Sequence, residues 1–326
     1  MPEGDTVLRT AQGLHRALTG RLLTRVDLRW PGLDGSELAG REVVECTAYG
    51  KHIFTRIGAG RSPRRFPTLP DDPLTLHSHL RMDGSWKIAG AEGGWPRPGG
   101  VSVRAVLGTD TWVASGIWLG MLDLVPTATE HQLIAHLGPD VMTPGEQTIA
   151  TGVQRIAAWP DRQIGAALLD QRGVAGIGTI FMAESLYVQG VSPWTPVGEV
   201  DLPPLLEAAR TLLVTAARAP GSNTTGMTGY RRTTYVHGRK GLPCHRCGTL
   251  VRVAGVGGPA SISDEEAAGP AGSTPSRLAS AGFERPAFYC PTCQAGPQPA
   301  DDGRPVRPLG ANPRYRENRR PRGYYR

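Results

Sequence analysis

Two Cys-x-x-Cys pairs constrain the fold of this chain more than any other feature of its sequence. The first pair is Cys244 and Cys247, the second is Cys290 and Cys293, and 42 residues separate them. Each pair can form a tight turn that places both sulfurs about 2.3 Å from one Zn²⁺. Four thiolates leave no open position on the metal, so we expect one structural Zn²⁺. A redox role is the alternative, but two paired motifs in a β-rich module favour zinc.

The stretch between the two pairs has a composition unlike the rest of the chain. From Ala254 to Gly282 it is rich in Ala, Gly, Ser and Pro and has almost no large apolar side chains. Such a segment cannot offset its ordering entropy, which predicts a disordered insertion at about 254–282. The flanking runs TLVRV and RPAFYC then form a β-hairpin. Residues 236–296 are therefore predicted to be a Cys₄ zinc-finger hairpin.

The first 125 residues carry one helical pattern followed by alternating strands. Asp5 is expected to cap a helix that ends at Gly20. Its predicted buried face comprises Val7, Ala11, Leu14 and Leu18. Runs of alternating apolar residues then recur between turn-rich segments, among them Leu74 to Leu80 and Val101 to Leu107. Residues 1–125 are predicted to be a helix followed by a β-sandwich or barrel.

The apolar period changes to a helical one from Thr129 onward. Residues 126–235 are predicted to be a helical domain, with Asp161 capping a helix that contains Ile164. A glycine-rich turn at 173–178 leads to a helix at roughly 179–189. Such an arrangement can direct backbone N–H groups at a phosphate, but this segment alone favours a plain helical hairpin, which is a common packing unit. The fold class predicted for the whole chain is multidomain α+β.

The net charge points only weakly to a polyanionic partner. The chain has 36 basic and 29 acidic residues, a balance of +7. Residues 301–326 hold eight arginines against three acidic residues, so this tail supplies +5 and the body is nearly neutral. We expect residues 297–326 to be a disordered basic tail, either solvated or touching nucleic acid.

Without a bilayer-length apolar run or a signal pattern, a cytoplasmic protein without membrane contact is expected. The remaining cysteine, Cys46, is predicted to be a buried thiol.

The amino terminus offers a nucleophile. The chain begins Met1, Pro2, Glu3, Gly4. A small second residue such as proline permits removal of the initiator methionine, and Pro2 would then expose a secondary amine. That amine can form an iminium with a sugar carbon, and Glu3 can supply proton transfers. Taken alone, the same four residues describe an ordinary N-terminal arm.

Five separated motifs resemble one family. They are PEG at 2–4, YGKHIF at 49–54, HSHLRMDGSW at 77–86, LLDQRGVAGIG at 168–178, and YVHGRKGLPCHRCGT together with FERPAFYCPTC. In this order they resemble the Fpg/Nei family, the formamidopyrimidine-DNA glycosylase and endonuclease VIII group of bifunctional repair enzymes, over roughly residues 1–295. The resemblance implies a monomer that binds damaged DNA, removes a base and cuts the strand at the resulting abasic site.

The resemblance implies a role for each matching residue at the reaction centre. Pro2 would be the Schiff-base nucleophile that attacks C1′ of the damaged nucleotide, and Glu3 the general acid at the sugar. Lys51 would sit near the lesion phosphate and assist β-elimination. Arg285, on the zinc hairpin, would bind the same phosphate and assist δ-elimination, a role suited to a bidentate guanidinium.

Further matches imply contacts to DNA. Met82, with Arg81 beside it, would enter the space left by the flipped base, which offsets part of the unstacking cost. His136, in HLGPD, matches a DNA-contacting arginine of endonuclease VIII. Thr179 stands where the family has an asparagine that holds the lesion phosphate. Its shorter reach predicts reduced but not abolished activity.

One departure from the family concerns the choice of lesion. The formamidopyrimidine branch has an Arg-Arg-Phe-Gly element, whereas this chain has Ile117, Trp118, Leu119 and Gly120. The missing arginine favours the endonuclease VIII branch, whose substrates are oxidised pyrimidines such as thymine glycol and 5-hydroxycytosine. The PEGDTV start and HSHLRMDGSW also resemble actinobacterial members of that branch. The alternatives are an 8-oxoguanine-type glycosylase, a non-catalytic binder of abasic or damaged DNA, and a zinc-ribbon transcription or replication factor.

Overall fold

The computed structural model describes residues 2–60, 72–93, 102–219, 221–229, 232–257 and 285–299. Most of the predicted insertion and nearly all of the predicted basic tail therefore lie outside the described residues. Within the described ranges no helix is both long and apolar enough to cross a bilayer.

The first element is helix α1 (Gly4–Leu18), and it buries the predicted apolar face. Val7, Leu14 and Leu18 are fully shielded from solvent. The predicted cap was wrong, because the helix begins two residues earlier than a cap at Asp5 implies and its N-cap is Glu3. Asp5 instead lies buried in the first turn, where the Ser222 hydroxyl donates to its carboxylate at 2.6 Å.

Two antiparallel sheets form the sandwich predicted for the N-terminal part. The described residues contain the strands β1 (Arg25–Leu28), β2 (Val43–Tyr49), β3 (His52–Ile57), β4 (Leu74–His79), β5 (Ser85–Gly90), β6 (Val103–Gly108), β7 (Trp112–Ile117) and β8 (Met121–Pro126). They pair in the orders β1-β6-β7-β5 and β2-β3-β4-β8. Alternate residues of both sheets share one hydrophobic cluster with α1. The Trp86 indole N–H donates to Ser78 Oγ at 3.1 Å and joins the sheets.

The helical part comes after the sandwich and contains the helices α2 (Glu146–Ala157), α3 (Ile164–Leu169), α4 (Thr179–Gln189) and α5 (Leu202–Arg218). Helix α4 has the predicted bounds. Two expectations were wrong in detail: residues Thr127–Ile134 form a 3₁₀ helix rather than an α-helix, and the N-cap of α3 is Gln163 rather than Asp161. Asp161 lies two residues too early to reach the first turn of α3.

The cysteine module contains a two-stranded hairpin of β9 (Arg252–Val256) and β10 (Arg285–Tyr289). The first strand starts later than the TLVRV run and continues through Ala254, so the expectation that the insertion begins at 254 was wrong. Ala254 and Val256 are buried and pair with Ala287 and Arg285. Their burial explains the difference, because these small apolar residues pack into the same cluster as the helices.

One buried carboxylate fastens this module to α4. Glu184 is fully buried and accepts backbone N–H groups from Tyr235 at 2.7 Å, Val236 at 2.9 Å and His237 at 2.8 Å. The Thr224 hydroxyl also donates to it. Burial raises the pKa of Glu184, while these donors act in the opposite direction by stabilising the anion. The segment that enters the cysteine module is thus held by one side chain.

Replacing Glu184 by alanine should destabilise the protein by about 3 kcal/mol or more, because three buried N–H groups lose their acceptor. The matched control is Glu207→Ala, which removes a half-exposed carboxylate from a surface pair with Arg210. Urea unfolding followed by tryptophan fluorescence measures both. Equal losses in the two variants would contradict the structural role of Glu184.

Candidate functional site

The Glu3 carboxylate sits at the N-terminus of α4 and is fully buried. Its oxygens accept the backbone N–H groups of Gly178 at 3.0 Å, Ile180 at 2.8 Å and Phe181 at 3.2 Å. The sequence suggested that this glycine turn could present its N–H groups to a phosphate. These three groups instead bind an internal anion, Glu3, at the helix end, where the helix dipole favours negative charge.

Glycines make this approach sterically feasible. The Gly4 N–H donates to the Gly176 carbonyl at 3.0 Å, which brings the N-terminal arm against the turn before α4. Gly176 has a φ of +104°, a region that other residues rarely adopt. A Cβ on Gly178 would lie 2.3 Å from Glu3 Cδ. Both positions therefore need glycine if Glu3 is to reach the helix end.

The electrostatics of Glu3 combine burial with a nearby cation. Burial raises the pKa of Glu3 above its usual range. The positive charge of Lys51 and the N–H groups of Ile180 and Phe181 act in the opposite direction. A carboxyl group in this setting can hold a proton at a higher pH than an exposed one and still release it beside a positive charge. The structure thus brings Glu3 and Lys51 together, two residues that are 48 positions apart in the sequence.

Lys51 is positioned by the turn between β2 and β3. Gly50 has a φ of +57°, and its N–H donates to Asp140 Oδ2 at 2.9 Å. The other carboxylate oxygen of Asp140 accepts the Met142 N–H at 2.9 Å. A Cβ on Gly50 would lie 2.8 Å from Ala175 Cβ. The turn is therefore pressed against the segment that precedes α4.

Sequence reasoning missed Asp140. It is buried, and burial raises its pKa, while the two N–H donors oppose that rise. An aspartate in a loop gives no sign from sequence alone that it faces inward, because its partner Gly50 lies 90 residues away. Asp140 connects the sandwich to the helical part at the point where Lys51 is presented.

Arg81 and Met82 lie in the turn between β4 and β5. Met82 is 54% exposed, and Arg81 adopts a φ of +52°. This turn follows His79, which pairs with His52, the neighbour of Lys51. The two predicted DNA-contacting residues are thus at the same end of the sheet as Lys51.

A second loop packs against that turn and carries an aromatic residue that sequence reasoning did not select. Trp118 is 50% exposed with a φ of +51°, whereas its neighbour Leu119 is buried. The Gly120 N–H donates to the His79 carbonyl at 2.9 Å, and a Cβ on Gly120 would meet the Arg81 side chain at 1.9 Å. The sequence did carry a signal, because Trp118 stands where the Arg-Arg-Phe-Gly element of the formamidopyrimidine branch has an arginine.

Three other predicted residues occupy separate places. Thr179 is the first residue of α4, buried between the N–H donors that hold Glu3. His136 is exposed in the loop after the 3₁₀ helix. Arg285 begins β10 opposite Val256, and burial lowers the pKa of its guanidinium group. That Arg285 and His136 reach a ligand held near Glu3 stays a prediction.

The four cysteines come together as predicted and could hold a metal ion. Their sulfurs all lie within 4.8 Å of one another. The Cys244 and Cys293 sulfurs are 3.9 Å apart, and those of Cys247 and Cys290 are 3.5 Å apart. A tetrahedron with metal–sulfur bonds of about 2.3 Å has sulfur–sulfur edges of roughly 3.8 Å, so the geometry fits a tetrahedral thiolate site.

The Glu3 contacts predict how the site responds to one added methyl group. Gly178→Ala should displace the Glu3 carboxylate, and the amide proton resonances of Ile180 and Phe181 should move upfield as their hydrogen bonds lengthen. Gly198→Ala is the control, since a Cβ there meets its nearest atom only at 3.5 Å. Amide ¹H–¹⁵N spectra of both variants measure the effect. Unmoved Ile180 and Phe181 resonances in Gly178→Ala would show that the carboxylate stays in place.

Comparisons with known proteins agree with this geometry. Residues 1–114 match the model of the formamidopyrimidine-DNA glycosylase N-terminal domain. The probable endonuclease 8 2 of Streptomyces coelicolor is 41% identical over 315 residues, which cover 94% of this chain and 99% of the relative. The DNA-(apurinic or apyrimidinic site) lyase Nei2 of Mycolicibacterium smegmatis is 36% identical over 296 residues, or 90% and 99% of the two chains.

A solved structure shows the same fold. It is the Lactococcus lactis formamidopyrimidine-DNA glycosylase, bound non-covalently to DNA that contains an AP site. The TM-score is 0.67 at 19% identity, and the match covers 90% of this chain and all of the other. On the extent and identity of the sequence matches, this chain belongs to the formamidopyrimidine-DNA glycosylase and endonuclease VIII family.

Proposed function

We propose that this protein is a base-excision repair DNA glycosylase with AP lyase activity that acts through the amine of Pro2. The observation that carries the proposal is the burial of Glu3 at the N-terminus of α4, next to Pro2 and under the influence of Lys51. Relatives that are named endonuclease 8 2 and Nei2 support the same activity.

The chemistry follows from an amine beside a proton donor. After removal of Met1, the Pro2 nitrogen forms a bond to C1′ of the damaged nucleotide and the base departs. Glu3, whose pKa is raised by burial, delivers a proton to the ring oxygen O4′, so the C1′–O4′ bond breaks as the iminium forms. The iminium makes the proton on C2′ acidic, so its removal expels the 3′ phosphate, and a second elimination expels the 5′ phosphate. Lys51 and Arg285 stabilise these phosphates as they leave.

The substrate is damaged DNA, with the reacting nucleotide flipped out of the duplex. Met82 is exposed at the same end of the sheet as Lys51, which suits a side chain that fills the vacated space. Arg81 beside it enters the same space, and His136 contributes a further contact to the DNA. We propose oxidised pyrimidines as the lesion class, because the segment Ile117–Gly120 lacks the arginine of the formamidopyrimidine branch. The protein acts as a monomer.

Zn²⁺ is the metal that the four cysteines would hold. Cys244, Cys247, Cys290 and Cys293 provide only thiolate ligands at tetrahedral spacing, which is the donor set of structural zinc. When bound, the ion fixes the base of the hairpin that carries Arg285 and takes no part in the reaction.

Borohydride trapping tests the function. The protein, shown by mass spectrometry to lack Met1, is mixed with oligonucleotides that carry an abasic site, thymine glycol, 5-hydroxyuracil or 8-oxoguanine. We expect a covalent adduct on the abasic site and faster processing of the oxidised pyrimidines than of 8-oxoguanine. The adduct should be lost in Pro2→Thr.

A second control keeps Pro2 but places Gly-Ser before it, so that the proline nitrogen becomes an amide without nucleophilic character. This variant should bind abasic DNA and form no adduct. If the processed protein forms no adduct on abasic DNA, it is a non-catalytic binder of damaged DNA. An adduct that survives in both controls would assign the nucleophile to another amine.

Replacing Thr179 by asparagine should increase the rate of base release. Thr179→Asn lengthens a polar side chain at the start of α4, and one regained phosphate hydrogen bond should raise the single-turnover rate of base release roughly tenfold. Thr179→Val, which keeps the shape and removes the hydroxyl, should be slower than the unmodified protein. Single-turnover assays on thymine glycol duplex measure all three. Equal rates would contradict a phosphate contact at this position.

A further inference from the structure

Three hydrogen-bonded side chains lie in a row across one sheet, and the row ends at His52, the residue after Lys51. On the outer face of β3, β4 and β8, the Asp123 carboxylate lies 2.9 Å from His77 Nδ1, and His77 Nε2 lies 2.8 Å from His52 Nδ1. The two imidazole rings are buried, with exposures of 1% and 2%, whereas the Asp123 side chain is 42% exposed. A partly solvated carboxylate is thus joined to the interior through two rings.

The geometry assigns the protons in this chain. An ionised carboxylate only accepts, so His77 donates from Nδ1, and in a neutral imidazole its Nε2 is then left as an acceptor. A nitrogen–nitrogen contact of 2.8 Å needs one proton, which His52 Nδ1 must then supply. His52 Nε2 is consequently an acceptor.

His52, the inner end of this row of side chains, lies next to residues that the proposed reaction uses. His52 directly follows Lys51 and pairs across the sheet with His79. The rings of His52 and His79 meet edge to face, with centroids 4.9 Å apart. The His79 Nδ1 accepts the N–H of Arg81 at 3.0 Å, in the turn that carries Met82. One ring, His52, therefore sits between the catalytic lysine and the turn that would enter the DNA.

Core packing alone does not account for these side chains. The next residue on this face of β3 is Phe54, whose ring packs against His77 at 5.2 Å between centroids. An apolar ring is therefore accommodated at the neighbouring position, and an apolar pair would avoid the cost of burying imidazole nitrogens. A fully paired polar chain fixes each ring in one orientation and one tautomer, which apolar packing does not do.

We propose that Asp123, His77 and His52 are positioning residues for the elimination step, and we call them the Asp123–His77–His52 relay. The inference rests on the proposed lyase function. The relay touches no reacting atom. It holds the His52 ring in one tautomer and so fixes the start of β3, where Lys51 faces Glu3, relative to the turn after His79.

The test compares His77→Phe and Asp123→Ala with Thr75→Val. Phenylalanine keeps a ring at position 77 and removes both hydrogen bonds, and Asp123 is exposed enough for its loss to be tolerated. Thr75 lies on the same face of β4, two residues before His77, and hydrogen-bonds to Glu130 at 2.6 Å, outside the relay. It is therefore a control for the loss of a polar contact on this face of the sheet.

Two readouts separate positioning from general stability. Single-turnover elimination on abasic-site DNA should slow by about tenfold or more in His77→Phe and Asp123→Ala, with the dissociation constant within about threefold of the unmodified protein. Thr75→Val should keep both values. Long-range ¹H–¹⁵N spectra of histidine-labelled protein should show His77 and His52 protonated at Nδ1, and Asp123→Ala should lose that single tautomer.

The outcomes distinguish the relay from the function on which it rests. If the unmodified protein forms no trapped adduct, the lyase function fails, and the tautomer spectra still report on the relay. If the unmodified protein is active and the relay variants eliminate at its rate, or if Thr75→Val slows elimination equally, the positioning role is wrong. Protonation of His77 at Nε2 would also overturn it. Should His77→Phe not fold, Asp123→Ala alone decides the outcome.

Discussion

The arrangement of the site depends on one interaction, the seating of the Glu3 carboxylate on the first turn of α4. A buried carboxylate loses its hydration, and the three N–H groups it meets are donors that a helix leaves unsatisfied at its N-terminus. The contact therefore satisfies both partners. It also places the start of the chain next to a segment 175 residues away, so Pro2 is held at a fixed place in the fold.

Helix α4 contacts both the N-terminal site and the cysteine module. Glu3 binds its first turn, Glu184 in its middle holds the segment at 235–237, and the Tyr187 hydroxyl near its end lies 3.2 Å from Cys244 Sγ. Eight of the eleven residues of the helix are buried. The amino-terminal site and the hairpin that carries Arg285 are thus built on the same rigid element. Glu3 and Arg285 are 282 residues apart in sequence, and this shared helix sets the distance between them.

The other side of the site is formed by the sandwich, at the end of the sheet where Lys51, Arg81 and Met82 lie. Asp140 ties the turn before β3 to the helical part, and the histidine chain on β3 and β4 orders the same end from within. The turn with Met82 and the loop with Trp118 project from this end and pack on each other. The exposed side chains are therefore presented by a base that is internally hydrogen-bonded. Rigid support of this kind suits the insertion of Met82 into a base stack that we propose.

The sequence by itself determined the order of the elements, the bounds of α4, the apolar face of α1 and the grouping of the four cysteines, because each depends on local period or short spacing. It also selected Glu3 and Lys51. Only the tertiary structure decided that Glu3 occupies the α4 N-terminus, that Asp140 faces inward, that β9 continues through Val256, and that three side chains from β3, β4 and β8 form one chain. These contacts join residues distant in sequence, and local patterns carry no information about which distant partner satisfies a buried polar group.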